Sequence, residues 1–250
     1  MPRPLTEEEL DWLGGYQPGD WARPSVAVDL VVLTVRDADL RVLLVRRKER
    51  PYKDSWALPG GFVKVGTTRD DQGEDLETAA HRELEEETGL RQGSVFLQQL
   101  HTFGAAGRDP RTRVISVAYC ALVPPEKAMV VVGGSDAAEA RFMSITHELD
   151  REGLAFDHDT ILDHGVDWLR RSLHSSTIAF ELVPETFTAA ELRAVHEAAL
   201  GVTYDPGNFR RRFRRMVADG LIAQAPGRRH TGTKPARVYR FVRSDLGPSP

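Results

Sequence analysis

From Val26 to about Thr34 the chain takes on a strand pattern, Asp37-Ala38-Asp39 make a turn, and a second strand covers Leu40 to Arg46. Trp56–Phe62 is a short extended piece containing paired glycines. A polar loop from Lys64 to Gly73 then leads into a helix over about Glu74–Thr88, which Gly89 stops. Further strands are expected at Ser94–Phe103, Arg113–Val123 and near Ala140–Ile145, and a helix over Asp159–Leu173. Ahead of all this, Thr6 and Glu9 form a capping-box pattern for a short helix, followed by an irregular stretch marked by Gly14, Gly15, Pro18 and Pro24.

Beyond Ser175-Ser176, read as a linker, the pattern changes. Thr188 and Glu191 give a second capping box, with Phe187 and Leu192 as its staple, and this helix ends near Leu200-Gly201. Asp205-Pro206 supplies the N-cap and first-turn proline of another helix running to about Ala218. Phe209, Phe213, Met216 and Val217 recur on one face, with Arg210, Arg211, Arg212, Arg214 and Arg215 between them. Leu221-Ile222 and Val238–Val242 read as strands flanking a basic tip that holds Arg228, Arg229 and Lys234. Helix, turn, basic helix and basic hairpin is the winged helix-turn-helix plan, in which the second helix enters the DNA major groove. Asn208 and the arginines of that helix, with Arg228, Arg229 and Lys234 of the wing, are the candidate DNA contacts. The sequence divides as an extension over 1–24, an α/β domain over 25–174 and a DNA-binding domain over 177–243.

Charge sharpens this division. The net charge of −4 conceals 11 Lys/Arg against 3 Asp/Glu in residues 201–250, a balance of +8 that leaves −12 on residues 1–200. A single cysteine, Cys120, excludes an intrachain disulfide or a multi-cysteine zinc site and points to a reducing compartment. The longest apolar stretch, Val114–Val123, is too short for a bilayer, and Met1-Pro2-Arg3-Pro4 opens no signal peptide, so a cytoplasmic protein without membrane contact is expected.

The candidate chemistry lies in Arg82-Glu83-Leu84-Glu85-Glu86-Glu87-Thr88-Gly89-Leu90. On a helix Glu83, Glu86 and Glu87 share a face, whereas Glu85 points roughly 160° away from Glu83. Three converging carboxylates repel one another unless a cation sits among them, and their oxygens suit Mg²⁺, with Mn²⁺ as the alternative. Taken with Gly60-Gly61 and Glu74, the segment resembles the Nudix box. That resemblance implies an α/β/α sandwich with a mixed sheet and a metal site on Glu83 and Glu87, with Glu86 sharing metal or water positioning. It also implies a carbonyl from Gly60 or Gly61 at the metal and a supporting Arg82–Glu74 salt bridge. The family places five residues between the glycine and the first glutamate. Here twelve separate Gly61 from Glu74, which puts the positions of both at issue.

Arg50–Val63, Thr102-Phe103-Gly104 and the loop Arg108–Arg113 resemble the ADP-ribose-binding branch of that family. The resemblance implies that Arg108, Arg111 and Arg113 face an anionic ligand, with Arg46 and Arg47 as second candidates. Tyr52, Trp56 or Phe103 would stack on adenine. A base outside the box falls to Glu139, with Asp136 behind it, while His158 and His164 read as helix-start and core residues. From about Arg23 to Val242 the chain resembles the Nudix-related transcriptional regulators of bacterial NAD metabolism. These bind DNA as dimers and release it on binding ADP-ribose. The alternative reading is a Mg²⁺-dependent ADP-ribose pyrophosphatase yielding AMP and ribose 5-phosphate, with the basic module accessory.

Overall fold

The structure, a computed structural model, describes residues 3–66, 71–91, 93, 95–128, 139–175, 177–230 and 235–242. Helix α1 (Glu7–Gly15) opens with the expected Thr6–Glu9 capping box. Strands β1 (Ser25–Arg36), β2 (Asp39–Arg46), β3 (Trp56–Ala57) and β4 (Gly60–Phe62) precede helix α2 (Leu76–Thr88). Then come β5 (Phe96–Phe103), β6 (Val114–Leu122), the single turn α3 (Pro125–Ala128), β7 (Ala140–Ser144) and the long α4 (His158–Ser175). A 3-10 turn over Ile178–Leu182 leads to α5 (Ala189–Leu200), α6 (Pro206–Ala218) and the hairpin β8 (Ile222–His230) and β9 (Pro235–Phe241).

The first seven strands form one mixed sheet in the order β3-β2-β1-β6-β5, with β4 pairing β1 and β7 pairing β2. β1 runs parallel to β6 and antiparallel to β2 and β4. Because strand side chains alternate in direction, β1 serves two cores at once. Val28, Leu30 and Val32 pack with Ala79, Ala80 and Leu84 of α2. Val31, Leu33 and Val35 face the other way, into a larger core with Ile161, Leu162, Val166 and Leu169 of α4. There α4 comes so close to the sheet that a Cβ at Gly165 would lie 2.7 Å from a Val31 methyl.

The same core continues through Leu182, Phe187, Leu192 and Val195 to Phe209, Phe213 and Ile222, so the winged helix is built onto the sandwich. Phe209 and Phe213 of α6 are buried as their spacing predicts and Met216 packs against the same core, but Val217 is exposed; Phe213 meets Tyr239 of the hairpin edge-on at 4.8 Å. Several boundaries differ from the sequence reading, those of α2 and β8 with most consequence. α2 begins at Leu76 because Glu74 is drawn into an ion pair, leaving Asp75 as N-cap. β8 runs on to His230, its register shifting between Gln224 and Arg228. Among the described residues no helix is long and apolar enough to cross a membrane.

Candidate functional site

α2 and β4 bring the acidic segment and the glycines together. Arg82 organises them. Its Nε and Nη2 donate to the two Glu74 oxygens at 3.0 and 2.6 Å, and Nη2 also donates to the Phe62 carbonyl at 3.2 Å. Nη1 donates to Glu83 at 2.6 Å and to Glu86 at 3.1 Å. The hydrogen bonds from Arg82 push the Glu74 carboxyl down to about 2. Glu83 is buried, and desolvation raises its pKa against the pull of Arg82. The Glu83 carboxylate lies where a Cβ at Gly61 would have to be, so any side chain there would displace it. Glu87 accepts the Gly60 N–H at 3.1 Å, and Glu86 stands more exposed beside Lys64 at 3.7 Å. Glu85 points away, toward Arg91.

The long loop leaves this geometry in place. The Lys64 N–H donates to the Glu74 side chain at 2.8 Å, the Glu74 N–H donates to the Lys64 carbonyl at 3.0 Å, and Val65 bridges Gly73. The insertion is therefore closed off at its base, and Glu74 reaches Arg82 despite it. Among the described residues no three acidic or imidazole side chains already form a ready cation cage. Arg82 Nη1 holds that place between Glu83 and Glu86. The donor set nevertheless suits a divalent cation: hard carboxylate oxygens beside glycine backbone, one of them buried and in need of positive charge. An ion entering there would take Glu83 and Glu86 from Nη1 and leave the paired Arg82–Glu74 contact standing.

Beside the carboxylates lies an open cavity of about 560 Å³ lined by Arg50, Pro51, Tyr52, Lys53, Pro110 and Arg111. Arg111 is fixed by Asp109 (Nη2–Oδ2 2.7 Å) and lies 5.3 Å from the Phe62 ring centre and 5.7 Å from that of Phe156. Arg47 sits 4.8 Å over Phe156, and Tyr52 meets the same ring edge-on at 4.9 Å. Burial, with the neighbouring charge of Arg111, lowers the pKa of Arg47. Two guanidiniums on aromatic faces, with Phe62 and Tyr52 both 44 % exposed, form a surface suited to an anionic ligand that carries a ring.

Several expected ligand contacts lie elsewhere. Arg108 is buried, with its Nε and Nη2 on Asp157 at 2.9 and 2.6 Å and Nη2 on Asp29 at 3.2 Å, so its fork is already occupied. Phe103 is core, set edge-on between His101 and His164. Trp56 packs half-buried against the core, with Arg141 over its ring at 5.0 Å. Arg113 is exposed but ties back to the Gly104 carbonyl at 2.7 Å, and Arg46 to that of Asp54 at 3.2 Å. Glu139 is exposed at the start of β7, and Asp136 lies outside the described residues.

His158 is the buried first residue of α4, and burial lowers its pKa. Its Nδ1 accepts the Leu58 N–H at 2.9 Å, while Nε2 lies 3.5 Å from Asp29. Sequence reasoning missed Phe62, Phe156, Asp29 and Asp157. The available signal was a carboxylate, Asp29, inside an otherwise apolar strand. Phe156 gave no signal in the sequence.

On the opposite module, Arg210, Arg211, Arg214 and Arg215 are exposed along α6, and Arg228 is exposed on the wing. Asn208 accepts from Arg211 and is held by the Asp205 cap. Arg212 is half-buried. Arg229 is a correction: it donates to Glu191 at 2.7 Å and to the Thr186 carbonyl at 2.8 Å, tying the wing to the start of α5. Lys234 lies outside the described residues. Two further arginines, Arg237 and Arg240 on β9, are exposed, and Arg237 stands directly across from Arg228. Like charges opposite one another on a hairpin destabilise it unless an anion lies against them.

A carboxylate-bearing helix against glycines, a cation–aromatic cleft and a basic winged helix together define a Nudix fold carrying a DNA-binding module. Residues 24–165 match the NUDIX domain and residues 179–241 the NrtR DNA-binding winged helix domain, and the chain belongs to the Nudix family. It is 33 % identical over 237 residues, 95 % of this chain and 90 % of the relative, to the ADPR responsive transcriptional repressor NtrR of Acinetobacter baylyi. Shewanella oneidensis NrtR complexed with a 27mer DNA aligns at TM-score 0.72 and 28 % identity, over 87 % of this chain and 93 % of that one. The NUDIX domain of the same protein complexed with ADP ribose aligns at TM-score 0.52 and 27 % identity, over 66 % of this chain and 99 % of that one.

Proposed function

We propose that this protein is a cytoplasmic, homodimeric transcription regulator whose Nudix half binds ADP-ribose, with Mg²⁺ at the carboxylates, and whose hold on DNA weakens when that ligand is bound. One observation carries this reading: the sandwich that bears the cation–aromatic cleft and the winged helix that bears the exposed arginine face share one continuous core. The likeness to an ADPR-responsive repressor over nearly the whole chain supports it. Arg47 and Arg111 would meet the diphosphate, and Phe156, Phe62 or Tyr52 the rings. Glu83, Glu86 and Glu87 would hold the cation, which neutralises diphosphate charge and acidifies a bound water. Arg82 and Glu74 position them. For ligand to release DNA it must bind the DNA-incompetent arrangement more tightly. The test is anisotropy of a labelled duplex from the chain's own upstream region, with and without ADP-ribose. Weakened binding is expected, and an affinity indifferent to ADP-ribose would refute the reading.

A second reading, slow hydrolysis to AMP and ribose 5-phosphate, is favoured by one observation: the Arg82–Glu74 pair and all three box carboxylates keep their arrangement across the long loop. Glu87 shields no core, so Glu87→Gln should fold. A loss of AMP release by about a thousandfold, roughly 4 kcal/mol, is expected if the site turns over. No release from the wild type would leave a sensor alone.

A further inference from the structure

A cluster of charges lies buried where β1 and β6 meet the start of α4. Asp29 of β1 accepts from Ser116 of β6 and from Arg108, and faces His158. Its backbone pairs with Gly60, next to the site. The Arg108 side chain is only 4 % exposed and grips Asp157 through two nitrogens. Asp157 sits between two residues with different duties. Before it is Phe156, whose ring carries Arg47 and Arg111 and whose backbone is left-handed at φ +56°, a conformation a bulky residue rarely holds. After it is His158, the first residue of α4. At the other end of α4, Arg170 donates to the Ala199 carbonyl at 3.2 Å, at the C-terminus of α5.

We infer that Phe156, Asp157 and Arg108 form a positioning unit that carries occupancy of the cleft along α4 to the winged helix. The inference rests on the regulator reading above. Diphosphate oxygens pairing with the N–H edges of Arg47 and Arg111 draw both guanidiniums away from the Phe156 ring. Phe156 is then free to leave its left-handed backbone, and Asp157 moves with it because they share a peptide bond. Arg108 turns that movement into a shift of the first turn of α4 relative to Asp29 and β1. α4 is a packed helix with Gly165 against Val31, so it moves as a body. Arg170 delivers the shift to α5, which packs beside α6. In a dimer two recognition helices must match half-sites about 34 Å apart, so a small tilt at each is enough to lose the fit. Asp157 and Arg170 are therefore positioning residues, and neither touches the ligand.

The experiment uses the full-length protein and two readouts: ADP-ribose affinity by calorimetry without DNA, and the factor by which saturating ADP-ribose weakens binding to the upstream duplex. Coupling factors of about 5–150 are usual for such linkage. Asp157→Asn and Arg170→Gln should each keep ADP-ribose affinity within about threefold of wild type, while the factor falls to near 1. Arg170 is half exposed, so its variant folds even if Asp157→Asn loosens the buried cluster. Variants that retain the wild-type factor would overturn the relay, as would a loss of ADP-ribose affinity in Arg170→Gln. A wild-type factor of 1 would refute the regulator reading itself, and that result is read before any variant is made.

Discussion

Arg214 of α6 and Arg229 of β8 carry the same charge in consecutive elements, yet only one faces outward, and salt dependence separates them. Seven arginines of the basic module are exposed among the described residues: Arg210, Arg211, Arg214, Arg215, Arg228, Arg237 and Arg240. If about five of these meet phosphate in each protomer, the proposed dimer makes about ten contacts, and log K against log salt falls with a slope of about −9. Between 50 and 200 mM salt that slope costs about five decades of affinity. Arg214→Gln removes two contacts per dimer and should bring the slope to about −7, a loss of about four decades over the same range. Arg229→Gln instead breaks the tie to Glu191 and Thr186, so it should weaken binding at every salt concentration with the slope unchanged. Anisotropy titrations of one labelled duplex at four or five KCl concentrations measure both. A slope unaltered by Arg214→Gln, or one flattened equally by Arg229→Gln, would refute the assignment of outward and inward arginines.

Two further predictions concern stability. His196 lies buried between Tyr204 and Phe209, its Nδ1 without a hydrogen-bond partner among the described residues, and burial pushes its pKa down to about 4. The unfolded chain takes up this proton near pH 6.5 and the folded chain only near 4, so stability should drop as pH falls through that window. The loss is about 3 kcal/mol, and His196→Phe should abolish that part of the pH dependence in urea melts at pH 7 and pH 4.5. The insertion is closed at Lys64 and Glu74, so replacing residues 65–73 with Asn-Gly should leave the Arg82–Glu74 pair intact. Such a variant gains about 1 kcal/mol from loop closure, and a fall in its melting temperature would show that the loop itself supports the site.

What could be read from the sequence was what local chemistry dictates. Thr6–Glu9 and Thr188–Glu191 form the capping boxes their spacing specifies, and Phe209 and Phe213 bury the expected face of α6. The Arg82–Glu74 pair, eight residues apart and bridging loop to helix, also stood where the motif put it. What could not be read depended on partners distant in the chain. Arg108 looks the same as Arg111 in sequence, and only Asp29 and Asp157, 79 and 49 residues away, decide that it is buried. Arg229 is likewise claimed by Glu191, 38 residues earlier. Phe156 gave no sign because an apolar residue before a helix is usually core. Its left-handed backbone turns the ring toward Arg47 and Arg111 instead.

The continuity of the core bears directly on how a ligand could be felt by DNA. The Ser175-Ser176 pair reads as a linker, yet the large cluster runs from Val31 and Leu44 through Leu169 and Leu173 to Leu182, Leu192 and Phe213 without a break. A joint would let the winged helix tumble, and occupancy of the cleft would then change nothing at the arginine face. Close-packed interiors behave differently, transmitting small displacements because side chains have no empty space in which to absorb them. The acidic balance of the first 200 residues adds a requirement of its own. Its repulsion of DNA is screened beyond about 8 Å at physiological salt, so the arginine face must be held outward and at a fixed orientation to escape it. Rigid attachment through α4 and α5 meets both needs, which is why we place the control of DNA binding in the helix between the sites and not in the segment that follows it.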